Sequence, residues 1–163
     1  MRKKPELSLR ARALQYLARR EYSRVELRGK LLPYAGTGGD SAQPLPGNMR
    51  TEDLDALLDD LTARGWLSDA RAATQLLHIK RSRFGTRRIA HELRRKGIAE
   101  DLVGDVLPCL KESELDAARG VWQKKFGALP QDDKEKARQV RFLQSRGFGL
   151  DVIFQVLRLT EEI

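Results

Sequence analysis

Apolar side chains recur along this chain at the three- and four-residue spacing of an amphipathic helix, and this periodicity constrains the fold most. One such stripe consists of Leu54, Leu57, Leu58 and Leu61. A strand would need alternating apolar and polar residues bounded by turn pairs, and no such run occurs in the sequence. Each stripe must be covered by another element, because an exposed apolar stripe would aggregate. We therefore predict an all-α protein.

Residues that start and end helices agree with this periodicity. Ser23 with Glu26 has the spacing of a capping box, in which the serine hydroxyl accepts from a backbone N–H and the glutamate reaches back. Asp132 with Glu135 and Ser113 with Asp116 are looser versions of it. Three segments end in a basic residue, a glycine and an apolar residue, with the glycines at Gly65, Gly97 and Gly147. A glycine there can adopt the left-handed conformation that closes a helix, with the next apolar residue folded back onto the last turn.

These signals predict nine helices in three groups of three. The predicted helices span 8–20, 23–32, 51–65, 69–83, 86–97, 99–110, 114–126, 133–147 and 150–160. We therefore expect three tandem three-helix modules, at 1–66, 67–112 and 113–163. Residues 33–50 are rich in glycine and proline and are predicted to form a long loop within the first module.

The charge balance favours an acidic partner. The chain carries 31 Lys and Arg against 23 Asp and Glu, a formal net charge of +8, which suits a nucleic acid or another acidic surface. No apolar run is long enough to span a membrane, and the basic N-terminus has no apolar core after it, so no secretory signal is expected. The single cysteine, Cys109, excludes an internal disulfide framework and predicts a reducing compartment, the cytoplasm. We expect a monomer.

Residues with catalytic or metal-binding chemistry are scarce. One cysteine and two histidines are too few for a Cys/His zinc site; we expect His78 partly buried, His91 exposed and Cys109 buried. The GTGG stretch at 36–39 lacks the Lys-Ser/Thr ending of a phosphate loop. An acidic cluster could bind Mg²⁺, but a solvated helix face is the favoured interpretation; it consists of Glu52, Asp53, Asp55, Asp59 and Asp60. We predict a binding protein with no catalytic residue, metal or cofactor.

The basic residues form the informative constellation. On the predicted helix 86–97, Arg88, His91 and Arg95 lie opposite the apolar Ile89 and Leu93. Guanidinium groups suit phosphates and carboxylates. A second patch comprises Arg19, Arg20, Arg24, Arg28 and Lys30, and a third comprises Lys124, Lys125, Arg138, Arg141 and Arg146. The predicted residues for binding an acidic partner are Arg81, Arg83, Arg87, Arg88, Arg94, Arg95, Lys124, Lys125 and Arg141.

Five segments together resemble the RecX family of bacterial regulators, in order and at fitting spacing. They are ALQYLARREYSRVELRGKLL (13–32), LLDDLTARGWLSDARAA (57–73), RSRFGTRRIAHELRRKGI (81–98), KKFG (124–127) and RFLQSRGFGLDVI (141–153). The resemblance implies an elongated, curved array of three modules without enzyme activity. The implied partner is the RecA filament on DNA, whose groove the protein would occupy while suppressing ATP hydrolysis, strand exchange and coprotease activity. It would thereby restrain recombination and the SOS response.

Two departures from the family pattern leave the strength of inhibition open. Ala72 and Ala73 stand where the family often has an aromatic residue, and the loop in the first module is longer than in many members. Two alternatives also stay open. One is a DNA-binding regulator that acts through phosphate contacts without RecA, and whose binding would weaken steeply with salt. The other is a metal-dependent enzyme of nucleic acid, which depends only on the acidic cluster and ranks last.

Overall fold

The structure is a computed structural model that describes residues 7–35 and 51–161. The chain divides into two compact units, unit 1 (Met1–Ala72) and unit 2 (Ala73–Ile163). The helices of unit 1 are α1 (Leu9–Arg19), α2 (Arg24–Leu31), a short 3-10 helix (Leu32–Tyr34) and α3 (Thr51–Ala63). Most of the loop predicted at 33–50 lies outside the described residues.

Unit 2 contains the remaining helices. They are α4 (Asp69–Lys80), whose first turn precedes the division, α5 (Thr86–Arg95), α6 (Glu100–Lys125), α7 (Asp133–Ser145) and α8 (Leu150–Glu161). No strand occurs in the part of the chain that the structure describes. The prediction of an all-α fold is confirmed.

The apolar stripes pack into three separate cores. Unit 1 has one, in which Leu27, Leu31, Leu54, Leu58 and Leu61 are completely shielded from solvent. Unit 2 has two. The first is built from α4, α5 and the start of α6, with Ile89, Leu93, Val103 and Leu110 among its members. The second is built from the rest of α6 with α7 and α8, and includes Trp122, Leu143, Phe148, Ile153 and Val156. The division into modules at 1–66, 67–112 and 113–163 stays a prediction.

Helix α6 corrects the prediction of separate helices at 99–110 and 114–126. It runs without interruption from Glu100 to Lys125, so the described residues form eight α-helices rather than nine. Ser113 is not an N-cap, because it lies inside the helix and its hydroxyl donates to the Cys109 carbonyl at 3.3 Å. Residues such as Lys and Glu at 111 and 112 favour helix and do not end it. A single helix therefore contributes apolar residues to both cores of unit 2.

The predicted helix ends are confirmed in their backbone geometry. Gly65, Gly97 and Gly147 have φ angles of 76°, 74° and 91°. The following N–H reaches back to the carbonyl five residues earlier at 3.0 to 3.2 Å; the pairs are Trp66 to Leu61, Ile98 to Leu93 and Phe148 to Leu143. At the helix starts, Ser23 and Glu26 form the predicted capping box.

Three side chains are more exposed than the sequence predicted. Trp66 does not belong to the core of unit 1; it is 44% exposed, and Leu67, at 2%, is the buried residue after this helix end. His78 is exposed because α4 buries the face that carries Ala73 and Leu77. Cys109 is also exposed, one residue from the buried Leu110 and thus turned about 100° from it. The apolar residues next to His78 and Cys109 in the sequence lie on more than one face of α4 and α6, so they do not indicate which face is buried. His91 is exposed, as predicted.

A buried hydrogen bond fixes the second core of unit 2. The indole Nε1 of Trp122 donates to Oε1 of Gln139 at 2.8 Å, and Nε2 of Gln139 donates to the Ala128 carbonyl at 3.1 Å. Trp122 is 2% exposed and Gln139 is 3% exposed. A buried polar group without a partner is costly, so this pair favours the alignment of α6 and α7 in which both groups are bonded.

The start of α5 and the end of α7 meet through their backbones. The N–H of Gly85 donates to the Arg146 carbonyl at 2.8 Å, and the N–H of Arg87 donates to the Gly147 carbonyl at 3.3 Å. These are the donors and acceptors that a helix leaves unsatisfied at its two ends, and the opposed partial charges of the two helix ends attract. A Cβ on Gly85 would collide with backbone atoms of Gly147 and Phe148. We call this contact the glycine junction.

We predict that Gly85→Ala destabilises unit 2. Gly85 has an ordinary φ of −80°, so the effect would come from the collision with backbone and not from strain at residue 85. Overpacking of this kind costs about 1–3 kcal/mol, measured as a lower free energy of unfolding in urea followed by circular dichroism.

The matched control is Gly104→Ala in α6, where an added Cβ meets nothing within 4 Å. That substitution should stabilise the helix by about 0.5–1 kcal/mol. Equal unfolding midpoints for Gly85→Ala and the unsubstituted protein would contradict the role of the glycine junction.

Candidate cationic surface

The arginines of unit 1 are held by carboxylates. Arg24 pairs with Asp59 at 2.7 Å and Arg28 pairs with Asp55 at 3.0 Å, joining α2 to α3. A third pair, 2.9 Å long, links Arg20 and Glu26. The second basic patch predicted from the sequence is therefore largely neutralised within its own unit.

The same ion pairs explain the acidic cluster on α3. Asp60 accepts from Arg10 at 2.8 Å and from Arg64 at 3.0 Å. The hydrogen bond from Arg10 is the main cause that lowers the pKa of Asp60, and the Arg64 guanidinium lowers it further. With Asp55 and Asp59 also paired, three carboxylates of the cluster bind arginines. Among the described residues, no three Asp, Glu, His or Cys side chains converge as metal ligands.

Helix α5 has the predicted separation of apolar and cationic faces. Ile89, Ala90 and Leu93 are buried, whereas Arg88 and Arg95 are exposed. Together with neighbouring side chains these two arginines line a shallow depression of about 370 Å³; the lining residues are Lys80, Arg88, His91, Glu92, Arg95 and Lys96. We call it the α5 depression. Its one carboxylate, Glu92, is bound by Lys80 at 2.7 Å, which leaves both arginines without a carboxylate partner in the described structure.

Arg94 differs from its neighbours on α5. It donates to Glu100 at the start of α6, with an Nε–Oε1 distance of 2.6 Å. This hydrogen bond lowers the pKa of Glu100 and raises that of Arg94. Arg94 therefore links two helices, and its charge is less available to a partner than the sequence suggested. Arg87 is exposed at the start of the same helix.

Four other predicted residues line one groove in unit 2. Arg81 and Arg83 follow α4, and Lys124 and Lys125 end α6. Arg146, at the end of α7, lines the same groove, which has a volume of about 890 Å³. We call it the α6 groove. Residues some 40 positions apart meet there because α4, α6 and α7 are packed in one unit, which no local sequence signal could reveal. Arg141 is exposed on α7 and is not among the residues that line the groove.

Aromatic rings, rather than carboxylates, hold several of these cations. The guanidinium of Arg88 lies 4.3 Å from the centre of the Phe84 ring. That of Arg146 lies 5.3 Å from the rings of both Phe84 and Phe142, and Nζ of Lys125 lies 5.4 Å from Phe142. A ring face orients a cation without cancelling its charge. These cations of unit 2 therefore keep their charge, with no carboxylate partner among the described residues.

The two surfaces of unit 2 are held by the glycine junction. The junction has a side-chain bond besides its two backbone bonds. Nη1 of Arg88 donates to the Ser145 carbonyl at 3.2 Å. This bond connects α5, which carries the α5 depression, to α7, which contributes to the α6 groove. The fold and this surface define an all-α protein whose second unit presents cations without carboxylate partners. None of its described helices combines the length and apolar character needed to cross a membrane.

Comparison with known proteins places this helical chain in a family. Residues 68–107 match the profile of the second three-helix domain of RecX, and residues 112–157 match that of the third. A protein of Leptothrix cholodnii named "Regulatory protein RecX" is 48% identical over 158 residues, covering 97% of this chain and 92% of the relative. A protein of the same name in Chromobacterium violaceum is 45% identical over 150 residues, covering 92% of this chain and 89% of that relative. The chain belongs to the RecX family. It is accordingly a regulatory protein and not an enzyme.

Solved structures have the same fold. The crystal structure of RecX from Lactobacillus salivarius superposes with a TM-score of 0.74, covering 95% of this chain and 96% of that one, at 16% sequence identity. A second crystal structure of a regulatory protein RecX gives a TM-score of 0.72 at 19% identity, covering 91% of this chain and 70% of that one. The three-helix architecture is therefore common to chains that share few residues.

We predict that Arg10→Gln raises the pKa of Asp60 toward its ordinary value, because the hydrogen bond from Arg10 is the largest influence that lowers it. A lowered folded-state pKa contributes stability that is complete above the unfolded-state pKa and is lost as pH falls through the folded-state value. Carboxyl NMR titration of Asp60 measures the shift.

Lys111→Gln, an exposed change on α6, is the control and should leave this titration unaltered. An Asp60 pKa that is the same in Arg10→Gln and the unsubstituted protein would show that the α1–α3 ion pair does not persist in solution.

Proposed function

We propose that this protein binds in the groove of the RecA filament on DNA and inhibits RecA ATPase, strand exchange and coprotease activity. It would thereby modulate recombination, DNA repair and the SOS response in the cytoplasm. Membership of the RecX family supports the regulatory role. The observation that supports this mode of action is the set of cations in unit 2 that aromatic rings hold without neutralising them.

Two cationic surfaces on one rigid unit suit a repeating partner. The α5 depression and the α6 groove are both tied to α7, directly or through the glycine junction, so their separation is fixed. A filament presents the same surface at regular intervals, and linked contacts raise avidity without any strong single site. Holding neighbouring protomers in one arrangement opposes the changes in shape that hydrolysis and strand exchange require. We propose that the chain acts as a monomer of three modules.

The alternative is direct DNA binding through phosphates. It is favoured by the same exposed guanidinium groups, Arg87, Arg88 and Arg95, which suit phosphate oxygens as well as carboxylates. The two functions differ in what they need. Phosphate binding requires no recombinase. The logarithm of its binding constant falls linearly with the logarithm of the salt concentration, with a slope of about −0.9 per phosphate neutralised.

We predict that the double variant Arg88→Glu, Arg95→Glu weakens binding to the RecA filament by at least about tenfold, equivalent to 1.4 kcal/mol. The reason is that two positive charges lining the α5 depression become negative. Co-sedimentation with RecA filaments assembled on DNA measures the affinity. Arg88 loses its bond to the Ser145 carbonyl, but the circular dichroism spectrum should be unchanged, since both side chains are exposed and neither takes part in the backbone hydrogen bonds of the glycine junction.

The matched control reverses Lys111 and Arg119 on α6, which are exposed and line neither the α5 depression nor the α6 groove. It changes the net charge equally and should bind as the unsubstituted protein does. Equal losses in the two double variants would mean that net charge, and not the α5 depression, determines binding.

We further predict that affinity for DNA alone is lower than affinity for the RecA filament at the same salt concentration. Fluorescence anisotropy of labelled single- and double-stranded DNA, titrated at several salt concentrations, measures this. Binding to DNA alone that equals binding to the filament would favour the phosphate-binding alternative.

A further inference from the structure

The α6 groove has an apolar floor and a cationic rim. Its floor is formed by small and apolar side chains on successive turns of α6, Ala117, Gly120 and Val121, with Phe142 of α7 at the side. The cations that line it, which we call its rim, are half-buried or exposed; they are Arg81 and Arg83 on the turn after α4, Lys124 and Lys125 at the end of α6, and Arg146 at the end of α7. The one carboxylate among the lining residues is Asp116. A partner that fits both must be apolar on one side and acidic at its margins.

The shape of the floor suits a helix. The lining residues of α6 extend from Ser113 to Lys125, about 18 Å at 1.5 Å per residue. Small residues allow close approach, and Gly120 is exposed at a point where an added Cβ would meet nothing within 4 Å. The groove is therefore open above Gly120 and long enough for about three turns of a helix.

The aromatic ring at the side argues against stacked nucleic-acid bases. Binding of single strands uses ring faces on which successive bases stack. The Phe142 ring has Arg146 and Lys125 near its face, 5.3 and 5.4 Å from its centre. Its neighbour Phe126 meets it edge to face with ring centres 5.4 Å apart. The ring is thus already occupied by side chains of this chain, and the apolar floor offers nothing to a phosphate backbone.

We infer that the α6 groove binds an acidic amphipathic helical segment of a partner protein. The apolar face of the segment lies on Ala117, Gly120 and Val121, and its acidic residues pair with the cations of the rim. The inference rests on the proposed function only in taking this surface to bind a partner. It assigns Arg81, Arg83, Lys124 and Lys125 to a protein segment rather than to DNA.

The test uses the full chain and no recombinase. The probe is a fluorescein-labelled helical peptide of about 14 residues, composed of leucine and alanine on one face and glutamate at the margins. A second peptide carries lysine in place of glutamate, and a labelled oligothymidine carries the same number of negative charges as the first peptide. Fluorescence anisotropy at a single salt concentration gives the three affinities. We expect the glutamate peptide to bind at least about tenfold more tightly than either of the other two.

The decisive variant is Gly120→Leu, which fills the floor and removes no charge. Gly104→Leu is the matched control, because Gly104 also lies on α6, a Cβ added there also meets nothing within 4 Å, and the residue does not line the groove. Both variants should fold, as leucine favours helix over glycine. We expect Gly120→Leu to weaken binding of the glutamate peptide by about tenfold or more, and Gly104→Leu to leave it unchanged.

Three results would overturn the inference. They are equal affinity for the glutamate and lysine peptides, equal affinity of the two leucine variants for the glutamate peptide, and tighter binding of oligothymidine than of that peptide. The last would assign the groove to nucleic acid. Because RecA is absent from this experiment, a negative result here would not contradict the proposed function. A failure to bind the RecA filament would likewise not contradict binding of an acidic helix in the α6 groove.

Discussion

The glycine junction is the contact on which the arrangement of unit 2 depends. There the first backbone donors of α5 meet the last carbonyls of α7, with hydrogen bonds of 2.8 and 3.3 Å. Backbone atoms come this close only because neither Gly85 nor Gly147 has a side chain. Each helix end satisfies groups that the other would leave unpaired. The two cores of unit 2, already linked by the continuous helix α6, are thereby fixed at a second point, and so are the two cationic surfaces.

Carboxylates of α3 hold three arginines of unit 1, whereas aromatic rings hold the two arginines beside the glycine junction in unit 2. In unit 1 Arg24, Arg28 and Arg10 pair with carboxylates of α3, which stabilise the unit modestly because exposed ion pairs contribute little. In unit 2 Arg88 and Arg146 lie over aromatic rings. A ring holds the guanidinium in place without neutralising it, and apart from the Nη1 of Arg88 that binds the Ser145 carbonyl, it leaves the donors to a partner. We propose that these arginines of unit 1 maintain its fold and that those of unit 2 bind a partner.

Much of this could be predicted from the sequence, and the remainder could not for physical reasons. The helices, the capping box at Ser23 and the glycine helix ends follow from local signals, which short-range geometry determines. The merging of two predicted helices into α6 was missed, because Ser113 can cap a helix or continue one. The exposure of Cys109 was also missed, since apolar neighbours do not say which face is covered. The α6 groove depends on contacts between residues far apart in sequence. So does the neutralisation of the basic patch in unit 1, which requires knowing that α3 lies beside α2.

We propose that the chain acts by binding the RecA filament at several points. The DNA-dependent ATPase rate of RecA, measured as this protein is added at increasing ratios to RecA protomers, tests this mode of binding most directly. Because one molecule that fixes neighbouring protomers impedes a stretch of filament, we predict that the rate falls while the protein is still far below one per protomer. An ATPase rate that stays constant up to an equimolar ratio would contradict the account.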